Sequence, residues 1–145
     1  MSHALPDTDW PETQEFWAAA SRHELAIPRC SNCQRWVWYP QAKCPGCGQE
    51  RLTWVKTSGR GSLFSWARVE RALFAPFKSK APYITGLVAL EECPEVRIVT
   101  NILDCDPGLL EIDMPVRVVF RALEFPDADR DVTAPFFVPA PEVSP

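Results

Sequence analysis

Four cysteines in two pairs constrain this chain more than any other feature of its sequence. Cys30 and Cys33 form the first pair, Cys44 and Cys47 form the second, and ten residues separate the pairs. This spacing is typical of two short hairpin turns whose four thiolates converge on one tetrahedral metal, most plausibly zinc. A closed four-cysteine site is structural, because it keeps no open coordination position. The same ligands also serve iron, and two disulfides or a redox pair are the remaining alternatives.

The length and composition are those of a small globular protein. The chain has 145 residues, 46% of them hydrophobic and 23% charged, which suits one or two small domains. No apolar run approaches the roughly 18 residues of a membrane span, and the polar start at Met1–Asp9 is no signal peptide. We therefore expect no membrane association and a cytoplasmic location, where reduced thiols stay available for a metal.

Charge is distributed unevenly along the chain. Residues 61–145 carry eight Lys and Arg residues against thirteen Asp and Glu residues. An acidic second half is a poor partner for a polyanion, since affinity for nucleic acid depends on neutralising phosphates. A nucleic-acid-binding module, with Phe64 and Trp66 stacking on bases, is thus an alternative hypothesis only, and we expect no nucleic-acid partner.

The first element is predicted to be a helix within an N-terminal arm, residues 1–26. Residues 9–12 combine a capping aspartate, an early proline and an early acid, which indicate a helix start. Phe16 and Trp17 then lie on an apolar stripe with helical spacing. Either this stripe packs on the chain's own modules, or it docks on a partner or lines a ligand groove.

The metal segment, residues 27–56, is predicted to be a rubredoxin-like ribbon. Its unusually aromatic stretch, residues 36–39, is too large for so small a core to cover. We expect some of these rings at an interface, either between modules or with another chain, including a second copy in a homodimer. Gly46 and Gly48 fit positions that require a positive φ beside the sulfurs.

The remainder, residues 57–145, is predicted to be a five-stranded Greek-key barrel of OB type, so the fold class is mainly β. Residues 106–110 are typical of a capped helical turn. β-Branched and aromatic residues predict four strands and a final edge strand limited by its prolines. The predicted ranges are Leu63–Glu70, Tyr83–Glu91, Arg97–Leu103, Val116–Phe125 and Thr133–Pro139.

A series of short motifs runs from the first helix to the fourth strand. They are Phe16-Trp17, Cys30-x2-Cys33, Cys44-Pro45-x-Cys47-Gly48, Ser58-Gly59-Arg60-Gly61, Tyr83, Thr100-Asn101, Cys105-Asp106-Pro107 and Met114-Pro115-Val116. In this order the motifs resemble those of the DUF35 family, in which a rubredoxin-like zinc ribbon is fused to an OB-fold that associates with acyl-CoA. The resemblance implies an accessory protein beside a thiolase-like or acyl-CoA hydratase-like enzyme, and it does not identify the acyl group.

One loop departs from the acidic background. Residues 71–82 carry three positive charges, no negative charge and two phenylalanines. Coenzyme A presents phosphates and a flat adenine, which bind cationic and aromatic side chains. We predict that Lys78 and Lys80, with Arg60 or Arg68, attract the phosphates. The pantetheine arm would run toward Phe16, Trp17 and Trp36. A solvated connecting loop is the alternative.

The sequence shows no catalytic constellation of its own. Cys93 lies among glutamates that disfavour a thiolate, whereas Cys105 precedes a helix start that would lower its pKa. His3 and His23 lie near no nucleophile motif. We therefore predict a non-catalytic subunit that binds acyl-CoA, with a free-standing acyl-CoA thioesterase as a further alternative.

Overall fold

The computed structural model describes residues 4–141 and has the predicted fold class, with one helix, a ribbon and a closed barrel. No helix within this range is long and apolar enough to span a membrane. Short 3₁₀ turns cover Ala75–Phe77 and Pro107–Leu109. The principal elements are α1 (Gln14–Ser21), β1 (Ala26–Cys30), β2 (Leu52–Lys56), β3 (Arg60–Val69), β4 (Tyr83–Leu90), β5 (Arg97–Ile102), β6 (Pro115–Ala122) and β7 (Thr133–Pro139).

The helix starts later than the sequence predicted. Asp9 does not cap it, because residues 10–13 form a separate turn in which the Thr13 and Gln14 N–H groups donate to the Trp10 carbonyl. Thr13 occupies the N-cap position without a side-chain hydrogen bond. The signals at residues 9–12 therefore mark this turn, and α1 follows it. Ala19 and Ala20 are buried on α1, which packs against β1 and β7.

The ribbon is built on an antiparallel hairpin of β1 and β2. The pairing runs from Ala26 opposite Lys56 to Cys30 opposite Leu52. Beyond β2, Thr57 donates both its N–H and its hydroxyl to the Leu25 carbonyl, at 2.8 and 2.9 Å. The hairpin is thereby fixed at the end that enters the barrel, while the metal ligands lie at its other end.

The barrel closes in the order β3-β4-β5-β7-β6, with β6 returning to β3. The prediction that β7 is an edge strand is wrong, because it lies between β5 and β6. It pairs antiparallel with β6 from Val116 to Ala122, whereas its parallel contact with β5 is the single bridge between Ile102 and Phe137. Proline has no N–H to donate to a neighbouring strand. The prolines of β7 are tolerated because β7 forms only one bridge with β5.

The barrel and the ribbon share one hydrophobic core. Ile27 of β1 is fully buried in the same cluster as the barrel residues Leu63 and Phe137. Phe16, Trp36 and Trp38 are partly buried against this cluster, while Tyr39 stays 69% exposed. Most of the aromatic stretch therefore covers the junction between the modules, which was one of the two expectations.

The segment Ser58-Gly59-Arg60-Gly61 joins the modules through close backbone contacts. Gly59 has φ +76°, and a Cβ there would lie 2.3 Å from Val118 Cγ1. A Cβ on Gly61 would lie 2.4 Å from the Ala89 carbonyl oxygen. The Ser58 hydroxyl donates to the Glu91 and Glu92 carboxylates at 3.2 and 3.0 Å. These contacts tie the joint to the turn that follows β4.

Candidate metal centre and barrel groove

The four paired cysteines converge as the spacing predicted. Their Sγ atoms all lie within 4.8 Å of one another, with 3.5 Å between Cys30 and Cys47 and 3.6 Å between Cys33 and Cys44. A tetrahedral zinc with Zn–S bonds of about 2.3 Å requires sulfur atoms about 3.8 Å apart. The donor set and its dimensions therefore fit a metal ion, and the closed thiolate shell makes that metal structural.

Hydrogen bonds from the two turns reach the sulfur atoms of Cys30, Cys44 and Cys47. The Cys33 N–H donates to Cys30 Sγ and the Gly46 N–H donates to Cys44 Sγ, each at 3.4 Å. The Asn32 amide lies 3.5 Å from Cys47 Sγ, and this hydrogen bond is the main reason that the pKa of Cys47 is lowered to about 6. A lowered pKa favours the thiolate, which is the metal-binding form.

The two glycines of the second turn have different roles. Gly48 has φ +79°, as predicted, and its N–H donates to the Cys44 carbonyl at 2.9 Å. The same prediction for Gly46 is wrong, because its φ is not positive. A Cβ on Gly46 would lie 2.9 Å from Arg35 Nε, so the absent side chain leaves room for that guanidinium.

A continuous depression on the outside of the barrel, which we call the barrel groove, is the second candidate site. It consists of three adjoining cavities of about 730, 590 and 340 Å³. The first two share Lys80 and Phe125, and the last two share Asn101 and Phe136. The groove therefore extends from the loop of residues 71–82 to the helix residue Trp17.

The number of charged side chains, of both signs, falls from one end of this groove to the other. The first cavity is lined by Lys80 and Arg130 together with three carboxylates, and the middle one by Lys80, Arg121 and Glu124. The cavity at Trp17 has no charged side chain in its lining. One end thus suits a charged, polar ligand group and the other suits an uncharged chain.

Three carboxylates line the same cavity as Lys80, but within the described residues none of them forms an ion pair with a cation of the loop. Arg71, Lys78 and Lys80 make no ion pair with a carboxylate among residues 4–141. Lys80 Nζ instead lies 4.8 Å from the centre of the Phe125 ring, a cation–π contact. Lys80 and Trp17 are the two predicted ligand contacts that line the groove. Lys78 is exposed on the same loop.

The other predicted ligand contacts lie elsewhere. Arg60 pairs with Glu91 at 3.4 Å, and Arg68 pairs with Glu70 at 2.8 Å. Phe16 packs against the Trp38 ring at 5.6 Å, and the Arg29 guanidinium lies over Trp36 at 4.9 Å. None of Arg60, Arg68, Phe16 and Trp36 lines the groove.

Three residues that do line the groove were not predicted as ligand contacts. Tyr83 and Asn101 stand out in the sequence only as parts of the family resemblance, without an assigned role. Phe125 was predicted to end the fourth barrel strand, but β6 ends at Ala122, so the position of Phe125 depends on how the chain leaves β6. Only the closed barrel shows that these residues share a wall.

The other candidate residues do not form a catalytic site within residues 4–141. Burial raises the pKa of the Cys93 thiol to about 12. Burial also raises the pKa of Cys105, so the prediction that the following turn would lower it is wrong. His23 stacks on Phe120, with ring centres 5.3 Å apart, and His3 lies outside the described residues.

The rings considered for stacking on nucleic-acid bases are also engaged within the protein. Trp66 packs against the barrel core. The Arg97 guanidinium lies 3.8 Å from the centre of the Phe64 ring. This arrangement does not favour the nucleic-acid hypothesis.

Two family models match consecutive parts of the chain. The model described as the ChsH2 rubredoxin-like zinc ribbon domain matches residues 17–53, and that of the ChsH2 C-terminal OB-fold domain matches residues 54–121. A "DUF35 domain-containing scaffold protein" of Methanothermobacter thermautotrophicus is 33% identical over 112 residues, which are 76% of this chain and 82% of that protein.

Longer relatives and a solved structure extend this picture. A "probable enoyl-CoA hydratase alpha subunit" of Thermomonospora curvata is 34% identical over 126 residues, 86% of this chain but 37% of that protein. The chain thus spans little more than a third of the length of this relative. The solved structure described as "Ltp2-ChsH2(DUF35) aldolase" is 31% identical, with a TM-score of 0.75, covering 92% of this chain and 98% of that chain.

Proposed function

This chain belongs to the DUF35 family of zinc ribbon and OB-fold proteins, and on that premise we propose that it is a non-catalytic, acyl-CoA-associated accessory subunit. It docks on a thiolase-like or acyl-CoA hydratase-like enzyme and helps to hold the CoA thioester for that enzyme. The relatives named as a scaffold protein and as a hydratase subunit support a role of this kind.

The observation that carries the proposal is the change in charge along the barrel groove. Coenzyme A has the same asymmetry, with phosphates and adenine at one end and a neutral pantetheine arm at the other. In the proposed complex Lys78 and Lys80 attract the phosphates, and the arm runs toward the uncharged cavity at Trp17. Arg60 and Arg68, already in ion pairs with glutamates, contribute less.

The groove would contribute to the reaction by position and by excluding water. A thioester fixed along the barrel wall presents a defined end to the partner enzyme, which reduces the entropy lost when the reacting groups meet. The partner supplies the nucleophile and the acid–base groups. In this role the zinc site, held by Cys30, Cys33, Cys44 and Cys47, stabilises the ribbon and takes no part in the bond-making steps.

Calorimetric titration with coenzyme A tests the ligand part of the proposal. The double variant Lys78→Glu and Lys80→Glu should bind CoA at least about tenfold more weakly, since one charge-assisted hydrogen bond contributes about 1.5 kcal/mol. The matched control is Arg60→Glu and Arg68→Glu, which makes the same charge change outside the groove and should have a much smaller effect. Equal losses in both double variants would show that net charge alone governs binding.

Two further measurements test the accessory role. Co-purification of the native chain with a thiolase-like or hydratase-like enzyme is expected, and a strictly solitary protein would contradict the proposal. The purified chain alone should not hydrolyse simple acyl-CoA thioesters. Turnover by the isolated chain would instead support the thioesterase alternative.

A further inference from the structure

Three half-buried aromatic rings surround the middle cavity of the barrel groove. Phe77, from the loop of residues 71–82, lies 5.3 Å from Phe125 and 6.2 Å from Tyr83 between ring centres. All three line the cavity of about 590 Å³ and keep part of their surface exposed. At these distances the rings contact one another, as aromatic pairs do, and together they form one apolar wall of the cavity with part of their surface exposed to it.

Polar groups line the same space without a full set of partners. Asn101 Nδ2 donates to the Ile84 carbonyl at 3.2 Å, which fixes the amide and leaves its Oδ1 without a partner among residues 4–141. The Tyr83 hydroxyl likewise has no hydrogen-bond partner in this part of the chain. Lys80 adds a cation at the rim, over the Phe125 ring. The cavity therefore combines flat apolar surface, a fixed acceptor and a positive charge.

We infer that this cavity is a binding subsite for the adenine nucleotide end of the ligand. Aromatic rings provide stacking surface for a planar base. The Asn101 Oδ1 accepts a hydrogen bond from the exocyclic amino group of adenine, as asparagine does in other adenine contacts. Lys80 is placed to contact a phosphate attached to the same nucleoside. We call Phe77, Tyr83 and Phe125, with Asn101, the base clamp.

The base clamp rests on the proposed function, because it assigns one part of coenzyme A to one part of the groove. It also goes beyond that function, since a groove could hold CoA by its phosphates and its arm while the base stays in solvent. The two ideas therefore differ in which fragment of the ligand the protein recognises. Binding measurements with fragments of coenzyme A distinguish the two ideas.

The experiment is calorimetric titration of the full chain with CoA, adenosine 3′,5′-bisphosphate and 4′-phosphopantetheine. The test variants are Phe77→Leu and Phe125→Leu, which keep an apolar side chain but remove the stacking surface. Alanine truncation of a stacked aromatic weakens base binding by about five- to a hundredfold, so we expect a loss of at least about fivefold for CoA and for the bisphosphate. Binding of 4′-phosphopantetheine should not change.

The control is Phe74→Leu, on the same loop but outside the cavity lining, with Phe74 5.8 Å from Phe77. It should retain wild-type affinity for every ligand. If both clamp variants bind CoA as tightly as the wild type, the clamp is wrong while the proposed function stands. If the wild-type chain binds neither CoA nor 4′-phosphopantetheine, the proposed function itself fails.

A second test compares the affinities of the wild-type chain for the bisphosphates of adenosine and inosine. A purely structural role of Asn101 would not make these two affinities differ. Inosine replaces the exocyclic amino group of adenine by a carbonyl, so this position can no longer donate a hydrogen bond to Asn101 Oδ1. We expect the wild-type chain to bind the adenosine compound at least about fivefold more tightly. Equal affinity for the two compounds would overturn the assignment of Asn101.

Discussion

Removal of the metal should unfold the ribbon tip, residues 31–51, and leave the barrel folded. The tip lies between Cys30, where β1 ends, and Leu52, where β2 begins. Its buried cluster consists of Cys30, Val37 and Cys44, and only Val37 is not a metal ligand. Trp36 and Trp38 pack against the core shared with the barrel, and the rest of the tip therefore has almost no core apart from the metal site.

The sizes of the two free-energy contributions show why the tip depends on the metal. Burial of one valine side chain contributes about 1.5–3 kcal/mol, whereas a structural zinc contributes about 10–16 kcal/mol to the folding of small zinc domains. The metal term is several times larger and is comparable to the whole stability of a small domain. The barrel supplies most of the shared core, with Leu63, Leu90 and Phe137 almost fully buried. Ile27 and the Thr57 hydrogen bonds keep the base of the hairpin attached to it.

Hydrogen exchange followed by mass spectrometry measures this difference by segment. In zinc-loaded protein both modules should be protected. After chelation, residues 31–51 should lose protection while β3 to β7 keep it. Cys44→Ser should give the same pattern without chelator, and Cys105→Ser is the matched control, because Cys105 is not a ligand. Unchanged protection of the tip in metal-free protein would refute the reasoning, and so would simultaneous loss in tip and barrel.

Three other predictions follow from packing and burial. Gly61→Ala should lower the free energy of unfolding in urea by more than about 1 kcal/mol, because the added Cβ would lie 2.4 Å from a backbone oxygen. Gly48 has open space around it and only a positive φ, so Gly48→Ala should lower the free energy of unfolding by about 1 kcal/mol. Phe137→Ala should cost about 3–5 kcal/mol, whereas Leu73→Ala, at a side chain 90% exposed, should stay within about 0.5 kcal/mol. Cys93, with a pKa of about 12, should resist alkylation at pH 9 in the folded state. Because that pKa is raised from 9.0, the contribution of the Cys93 thiol to stability is lost as the pH rises from about 9 toward 12. The variant Cys93→Ala should therefore show a smaller pH dependence of the free energy of unfolding in urea titrations.

Features determined by local spacing could be predicted from the sequence. The four ligands were predictable because two Cys-x2-Cys turns position their sulfurs with little help from the rest of the fold. The capped turn at residues 106–110 is another local feature, and Asp106 Oδ1 accepts a hydrogen bond from the Gly108 N–H at 2.9 Å. Strands β3 to β6 were predictable because they are rich in β-branched and aromatic residues.

Features that depend on closure of the barrel could not be predicted in the same way. The proline content of β7 is typical of an edge strand, and only the long-range pairing with β6 places it inside the sheet. The groove also joins distant segments, since Trp17, Asn101 and Phe125 are far apart in the sequence. The sequence identified the cationic residues but not their ion pairs. It therefore did not show that Arg60 and Arg68 pair with glutamates whereas Lys80 does not.

The ribbon tip and the barrel groove meet at two consecutive residues of α1, which leads to a final prediction. Trp17 lines the uncharged end of the groove, while Phe16 packs at 5.6 Å against Trp38 of the tip. If metal removal unfolds the tip, α1 keeps its packing on β1 and β7 but loses the Trp38 contact, so Trp17 is held less firmly against the barrel. Metal-free protein should therefore bind CoA and 4′-phosphopantetheine more weakly than zinc-loaded protein. Binding of adenosine 3′,5′-bisphosphate should not change, because the opposite end of the groove belongs to the barrel and its loop. Calorimetry on both forms measures the difference, and an equal loss for all three ligands would show that chelation disturbs the barrel as a whole.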